Sequence, residues 1–399
     1  MKKKTGKQCD IVLLNASELL TLTGASHRPK TCGEMRELGL IHSGGLAIEG
    51  CEFVAVGPSK EIESKYAGKA KHIIDASGKV VMPGFVDPHT HAVFAGWRDR
   101  EWVMRLEGRD YLEILKAGGG ILETVRATRA ASQEELVEIA KKHLDTMLLH
   151  GTTTAEVKSG YGLDLEGEIK MLKVIEALGE EHPIRLVPTF LGAHAVPSEY
   201  KDNPGYYVEK VVEWLPEVKA LARFCDVFLE KGAFSLAQAR RILVRAKELG
   251  LGLKLHAGEF NDLGGVGLAL ELGATSVDHL DCMSEEDMLK MAQKAKKAQR
   301  FKGSKVQGVT VAVLLPGAPF FLGTKRYAGA RAMIDTGVPV AIGTDFNPGA
   351  CPTPNMQLIM TLGCLRSGMT PEEVISAATI NAAHALGYAY RVGSLEVGK

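Results

Sequence analysis

What this chain lacks already removes several classes of function. No stretch of 18 or more apolar residues occurs, so no segment reads as a transmembrane helix. No secretory h-region opens it either, because MKKKTGKQCDIVLLNASELLTL breaks its apolar run at Asn15 and Glu18. Neither sign of charge is in excess. The 48 Lys and Arg residues are matched by 48 Asp and Glu, which leaves no basic surplus for a phosphate backbone and argues against nucleic acid as a partner. Cysteine is sparse: the count is seven, odd, with no CxxC pair. That pattern supports neither a disulfide framework nor a cysteine-rich zinc site. AGGGI at 117–121 follows no strand and lacks the Lys-Ser/Thr of a phosphate-binding loop, and LGGVGLAL lacks the third glycine of a dinucleotide fingerprint. Together the absences predict a cytoplasmic protein with reduced thiols, no membrane span and a small-molecule substrate.

What is present is core and pattern. With 399 residues, 45% of them apolar, the chain can bury a large core. Residues 1–82 read as all-β: DIVLLNA, GGLAIEG, EFVAVG and HIIDASGKVVM are short strand-like runs divided by Gly, Ser and Asn. The composition changes after Pro83. Eight apolar runs then follow at regular spacing: GFVDPH, TTTAEVK, IRLVPTF, CDVFLE, GLKLHAG, TSVDHL, VTVAVLL and PVAIGTD. Helical patterns lie between them. SQEELVEIAKKHLDTMLLH has a 3.6-residue apolar period, with Ser132 as N-cap and Glu135 as its capping-box partner. SLAQARRILVRAKELG starts at Ser235 and stops at Gly250. Eight βα units predict an α/β fold, a (β/α)8 barrel; a doubly wound open sheet is the alternative.

A barrel requires its chemistry at the C-terminal strand ends. His89 and His91 end the first run and Lys158 the second, with Tyr161 just beyond it. His194 follows the third, His256 ends the fifth with Glu259 three residues on, His279 ends the sixth and Asp345 the eighth. In a strand, residues i and i+2 face one side, so His89 and His91 are placed to grip one cation. His256 and Asp345 are the candidates for the remaining ligands, and three imidazoles with one carboxylate suit Zn²⁺ or iron. A catalytic cation keeps a position open for water and lowers that water's pKa. Proton transfer then falls to Asp345, His279 and Glu259. Taken singly, each has a plainer role: an incidental HxH, a structural imidazole at 279, a solvated acid at 259.

MPGFVDPHTH, HAGE, DHL and GTD together resemble the amidohydrolase superfamily. The resemblance implies a distorted TIM barrel at 83–384 holding a single metal ion. It also implies a small β-sandwich from residues 1–82, to which 385–399 return. The superfamily's binuclear branch uses a carboxylated lysine, but Lys158 is expected to be a salt-bridged rim residue. Arg98, Tyr161, His194, Asn347 and Gly349 are the polar rim positions outside the ligand set. An arginine recognises a carboxylate bidentately, so Arg98 points to a small acidic substrate rather than a nucleobase; its plainer role is an ion pair with Asp99 or Glu101.

HTHAVFAGWRDREW, AGGGILETVRATR, EVKSGYGL, TFLGAHAVP, LHAGEF, SVDHL and GTDFNPG are longer and more specific, and resemble the imidazolonepropionase family. The implied reaction is hydrolysis of 4-imidazolone-5-propanoate to N-formimidoyl-L-glutamate in histidine degradation, in a homodimer. One divalent or trivalent ion per subunit, Zn²⁺ or Fe, would be held by His89, His91, His256 and Asp345. Arg98, Tyr161, His194 and Glu259 would contact substrate, and Asn347 and Gly349 the product's glutamate portion. Glu259, His279 and Asp345 would move protons, the first base being left open. Two other readings stand beside this one: a cytosine- or guanine-type deaminase, and a catalytically silent scaffold. Two features depart from the pattern. The chain stops at GSLEVGK, before strands that usually complete the small sandwich, and is expected to be truncated. The basic run KMAQKAKKAQRFKGSKVQG is longer than its connection needs and is expected to be a solvated helix extension.

Overall fold

The alternating runs of the N-terminal segment build a five-stranded sheet in the computed structural model, which describes residues 9–109, 119–299 and 308–399. β1 (Cys9–Leu20), β2 (Leu40–Glu49) and β3 (Glu52–Pro58) pair antiparallel in sequence. β4 (Ala70–Asp75) and the short β5 (Val80–Val81) pair parallel with β1. Val12, Leu14 and Ala16 of β1 alternate inward, as a two-residue period requires. Ile62 of the helix Ser59–Tyr66 closes over Val12 and Leu14 on one side. The chain's last residues also bond to this sheet: Leu395 N–H donates to Thr21 O (2.8 Å), Phe53 N–H to Lys399 O (2.8 Å) and Gly398 N–H to Phe53 O (2.9 Å). The outer strands β4 and β5 leave Ile73, Ile74 and Val80 exposed.

The second sheet is parallel throughout. Its strands are β6 (Phe85–Asp87), β7 (Thr152–Lys158), β8 (Arg185–Ala193), β9 (Phe224–Leu229), β10 (Gly252–Leu253), β11 (His256–Ala257), β12 (Ser276–His279), β13 (Val311–Leu314) and β14 (Val340–Ile342). β10 and β11 are two halves of one predicted strand, interrupted at Lys254–Leu255, and both pair with β9. Otherwise each strand pairs with the next. The first and last meet just beyond their C-terminal ends through a parallel bridge, Thr90 to Phe346. That closure makes the sheet a barrel and rules out the open, doubly wound sheet. The intervening helices pack an apolar core against its outer face. The predicted capping box forms at Ser132 with Glu135, and the helix expected to start at Ser235 is capped by a second box with Gln238. Among the described residues no helix is long and apolar enough to cross a membrane.

The basic run begins on the helix Glu285–Gln299, where Lys290 pairs with Glu286 (2.8 Å) and Asp287 (3.1 Å) and Lys294 reaches Leu270 O. Residues 300–307 of that run, and 117–118 of AGGGI, lie outside the described residues.

Candidate active site

The bridge that closes the barrel also assembles the site. Asp345 N–H donates to His89 O (3.0 Å) and His91 N–H to Phe346 O (2.9 Å), so the last strand end is bonded to the first. Asp345 Oδ1 then lies 3.5 Å from His89 Nε2 and 3.6 Å from His91 Nε2. Those separations are too long for hydrogen bonds. Donors each about 2 Å from a shared tetrahedral cation lie roughly 3.3 Å apart, which is close to what is seen. The His256 ring centre is 4.4 Å from that of His89 and 5.7 Å from that of His91. His279 stands 5.3 Å from His256, centre to centre. Backbone strain aims two of these side chains: His279 has φ 77° and Asp345 φ 52°, in the left-handed region that costs a side chain about 1–3 kcal/mol.

The imidazoles have open valences. Nε2 of His89 and of His256 are buried without a hydrogen-bond partner, as is Nδ1 of His279. Burial holds His89, His91 and His279 well below the usual histidine pKa, so they are neutral bases with lone pairs to give. Burial also pushes Asp345 well above the usual carboxylate range. Two sets of closely spaced donors share His89, one with His91 and Asp345 and the other with His256 and His279. Asp345 has no Lys or Arg ion-pair partner among the described residues, and such donors fit a bound cation.

Beneath the histidines the barrel interior is charged and fully buried. Lys158 Nζ contacts Asp226 (2.7 Å) and Glu156 (2.8 Å), and Lys254 Nζ contacts Glu156 (2.7 Å) and Pro88 O (2.8 Å). Burial opposes the charge on Lys158, but Asp226, Glu156 and Asp278 outweigh it and raise its pKa. Lys158 is therefore no rim residue. It points into the barrel, with its amine committed to carboxylates rather than free to bridge two metals. The same carboxylates reach the histidines. Asp278 Oδ2 accepts from His89 Nδ1 at 2.6 Å, which leaves Nε2 of His89 as the free nitrogen. Asp226 Oδ2 sits 3.0 Å from His256 Nδ1, close enough to pair although not aligned as a hydrogen bond.

Above the histidines lie the expected substrate residues. His194 stacks on His91 (4.9 Å, 15° between planes) and donates Nδ1–H to Gly160 O (3.0 Å), so its Nε2 is an acceptor. Burial, and His256 next, push its pKa down to about 3. Tyr161 is buried beside it, 5.4 Å between ring centres, and burial keeps its hydroxyl protonated. Glu259 Oε2 is 3.9 Å from His279 Nε2, and its carboxyl is raised well above the usual range by burial and then by Asp345. A cavity of about 220 Å³ opens beside Glu259, lined also by Asp281, Cys282 and Arg326. Arg98 Nε is buried without a partner. The ion pair with Glu101 does not form, because Glu101 binds Arg105 (3.2 Å) and Gly120 N–H (2.5 Å). Asn347 uses its amide within its own loop, accepting from Gly349 N–H (2.8 Å) and Ala350 N–H (2.7 Å) and donating to Asp345 O (2.6 Å).

Known proteins resemble this chain. Residues 80–399 match the model of the amidohydrolase family. An imidazolonepropionase of Alkaliphilus metalliredigens is 51% identical over 393 residues, 98% of this chain and 90% of that protein. One of Geobacillus kaustophilus is 51% identical over 389 residues, 96% of this chain and 88% of its own. The chain belongs to the imidazolonepropionase family of amidohydrolases. In fold it is like a guanine deaminase of E. coli (TM-score 0.69, 17% identity, covering 97% of this chain and 87% of that one). It is also like a zinc-bound adenosine deaminase of Xanthomonas campestris (TM-score 0.68, 18% identity, 98% and 83%). At those identities the likeness shows the fold alone, and it is the family membership that favours ring hydrolysis over the deaminase alternative.

Sequence reasoning placed this family's rim and missed what supports it. Asp87, Glu156, Asp226, Lys254 and Asp278 are all fully buried in the barrel. A signal was available: Asp87, Glu156 and Lys254 each precede a predicted strand-end residue by two, the spacing that puts both on the interior side.

Proposed function

We propose that this rim hydrolyses the ring amide of 4-imidazolone-5-propanoate to N-formimidoyl-L-glutamate, with His89, His91, His256 and Asp345 holding one zinc or iron ion. Such a cation, when bound, supplies Lewis-acid polarisation and makes water a nucleophile near neutral pH. The remaining work falls to the chain. The guanidinium of Arg98 takes the propanoate carboxylate, its unpartnered Nε serving as a donor. His194, held as a neutral Nδ1–H tautomer by Gly160 O, offers Nε2 to a ring N–H. Tyr161 keeps its proton and walls the ring against water. As water's oxygen bonds to the carbonyl carbon, its proton passes to one base at the rim, Asp345 or His279. Glu259, protonated by virtue of its burial, donates to the ring nitrogen as the C–N bond breaks. The products are a new carboxylate and the formimidoyl nitrogen.

The observation that carries the reading is the approach of Asp345 Oδ1 to 3.5 Å from His89 Nε2, a buried nitrogen with no hydrogen-bond partner, and to 3.6 Å from His91 Nε2. The test is metal analysis of the purified protein followed by an absorbance assay on imidazolone propanoate. Stoichiometric metal and loss of the imidazolone band are expected. Ammonia release from cytosine or guanine, with the imidazolone untouched, would replace this reading by the deaminase. Metal-free protein without hydrolytic turnover would favour a scaffold.

A further inference from the structure

Arg98 is the N-cap of the helix Asp99–Leu106, and its side chain lies across Gly349, in the loop of the last strand just over the closing seam. A Cβ at position 349 would fall 1.3 Å from Arg98 Nη2 and 2.0 Å from Cζ. The guanidinium thus occupies the space a side chain would need, and Gly349 serves as its floor. That floor is tied back to the helix that starts at Arg98. Gly349 O accepts from Arg105 Nη1 (3.2 Å), and Arg105 Nη2 pairs with Glu101 Oε2 (3.2 Å), one turn earlier on the same face. Glu101 Oε1 accepts the N–H of Gly120, the N-cap of the helix Ile121–Ala130. Glu101 is only 3% exposed. Burying the Glu101 carboxylate carries a desolvation cost that an apolar side chain would not, so packing alone does not account for a Glu–Arg pair aimed at the loop of the last strand.

We propose that Glu101 and Arg105 are positioning residues for carboxylate recognition. They hold the Gly349 carbonyl against the helix that begins at Arg98, and so fix the surface on which the guanidinium lies. Neither touches the reacting atoms. The proposal rests on the reading of Arg98 as the carboxylate receptor.

The test compares imidazolone propanoate with its neutral propanamide analogue as substrates. Arg105→Met and Glu101→Gln are expected to raise KM for the acid about tenfold or more, since small misplacements of a binding group have large effects. For the amide, KM should stay within about twofold, as should metal content and kcat. Arg105→Lys, which keeps one donor, should recover part of the loss. An equal rise in KM for acid and amide, or a joint fall of kcat and metal content, would show a merely structural role and overturn the proposal. Arg98→Met separates the two layers of inference. If it abolishes the preference for the acid while Arg105→Met and Glu101→Gln retain it, the positioning role alone fails. If Arg98→Met leaves the preference intact, the carboxylate reading fails and this proposal with it. Should Glu101→Gln not fold, Arg105→Met carries the test, because its side chain is 25% exposed and easier to lose.

Discussion

Below the four converging histidines, Glu156, Asp226 and Asp278 are surrounded by the amines of Lys158 and Lys254. Above them, the side chains of Asp345 and Glu259 are 4% and 10% exposed, and their ion-pair contacts among the described residues are to imidazoles alone. The residue types match, yet the electrostatic surroundings differ. The lower layer carries its own counter-charges and is complete as folded. In the upper layer burial raises the pKa of Asp345 and of Glu259, and no amine pairs with either among the described residues. A buried carboxylate at the barrel mouth is therefore informative by its partners as well as by its burial.

The sharpest way to break that contrast is to remove a member of the upper layer. Asp345→Asn should cut bound metal from about one per chain to near zero. Turnover should fall by more than about 100-fold, the upper end of what an outer partner of a ligand contributes. Retained metal, read by elemental analysis, would disconnect Asp345 from the cation. In the lower layer, Lys158→Met leaves Asp226 and Glu156 short of a counter-charge. Breaking a buried pair in this way costs about 3–5 kcal/mol, measurable by urea unfolding of the metal-free protein. A loss below about 1 kcal/mol would mean that the lysines do not balance this layer. Asp278→Ala acts between the layers, because it removes the acceptor of His89 Nδ1–H. Metal affinity should weaken about 10–100-fold in a chelator competition, and unchanged affinity would remove Asp278 from that role.

The smallest effect isolates burial from the carboxylate layers altogether. His384 donates to Ala25 O (2.7 Å), far from the metal ligands in sequence, and burial lowers its pKa to about 4. Its folded pKa lies below the unfolded value near 6.5, so its stabilisation is complete above that value and is lost as pH falls toward 4. At pH 5 the loss is at most about 2 kcal/mol. Thermal unfolding at pH 7.5 and pH 5 should show a larger drop for the natural chain than for His384→Gln. Equal drops would assign the pH sensitivity elsewhere.

The same contrast explains which parts could be read from sequence. The eight strands were legible because each is a short apolar run closed by turn residues. The rim was legible because strand-end residues stand out against those runs. His89, His91, His256 and Asp345 could be grouped from their positions in the pattern alone, since a barrel brings all its strand ends to one mouth. Asp226 and Lys254 were not grouped. Their partners lie on other strands, and strand-to-strand pairing inside a barrel depends on register that a single sequence does not display. The interruption at Lys254–Leu255 was hidden for a similar reason, because GLKLHAG reads as one continuous strand. The floor under Arg98 depends on a contact between the first and last loops, and glycine at 349 has no local signature that reveals what rests on it.

The bridge between Thr90 and Phe346 has a consequence for how the molecule comes into being. The proposed ligands sit on both sides of the seam where the sheet closes on itself. A growing polypeptide can make the paired imidazoles early, but it cannot capture the ion with a full set until the eighth strand has been synthesised and zipped to the first. Ion capture thus reports that the ring is shut, and a chain arrested before that seam forms would emerge from the ribosome without a complete cage.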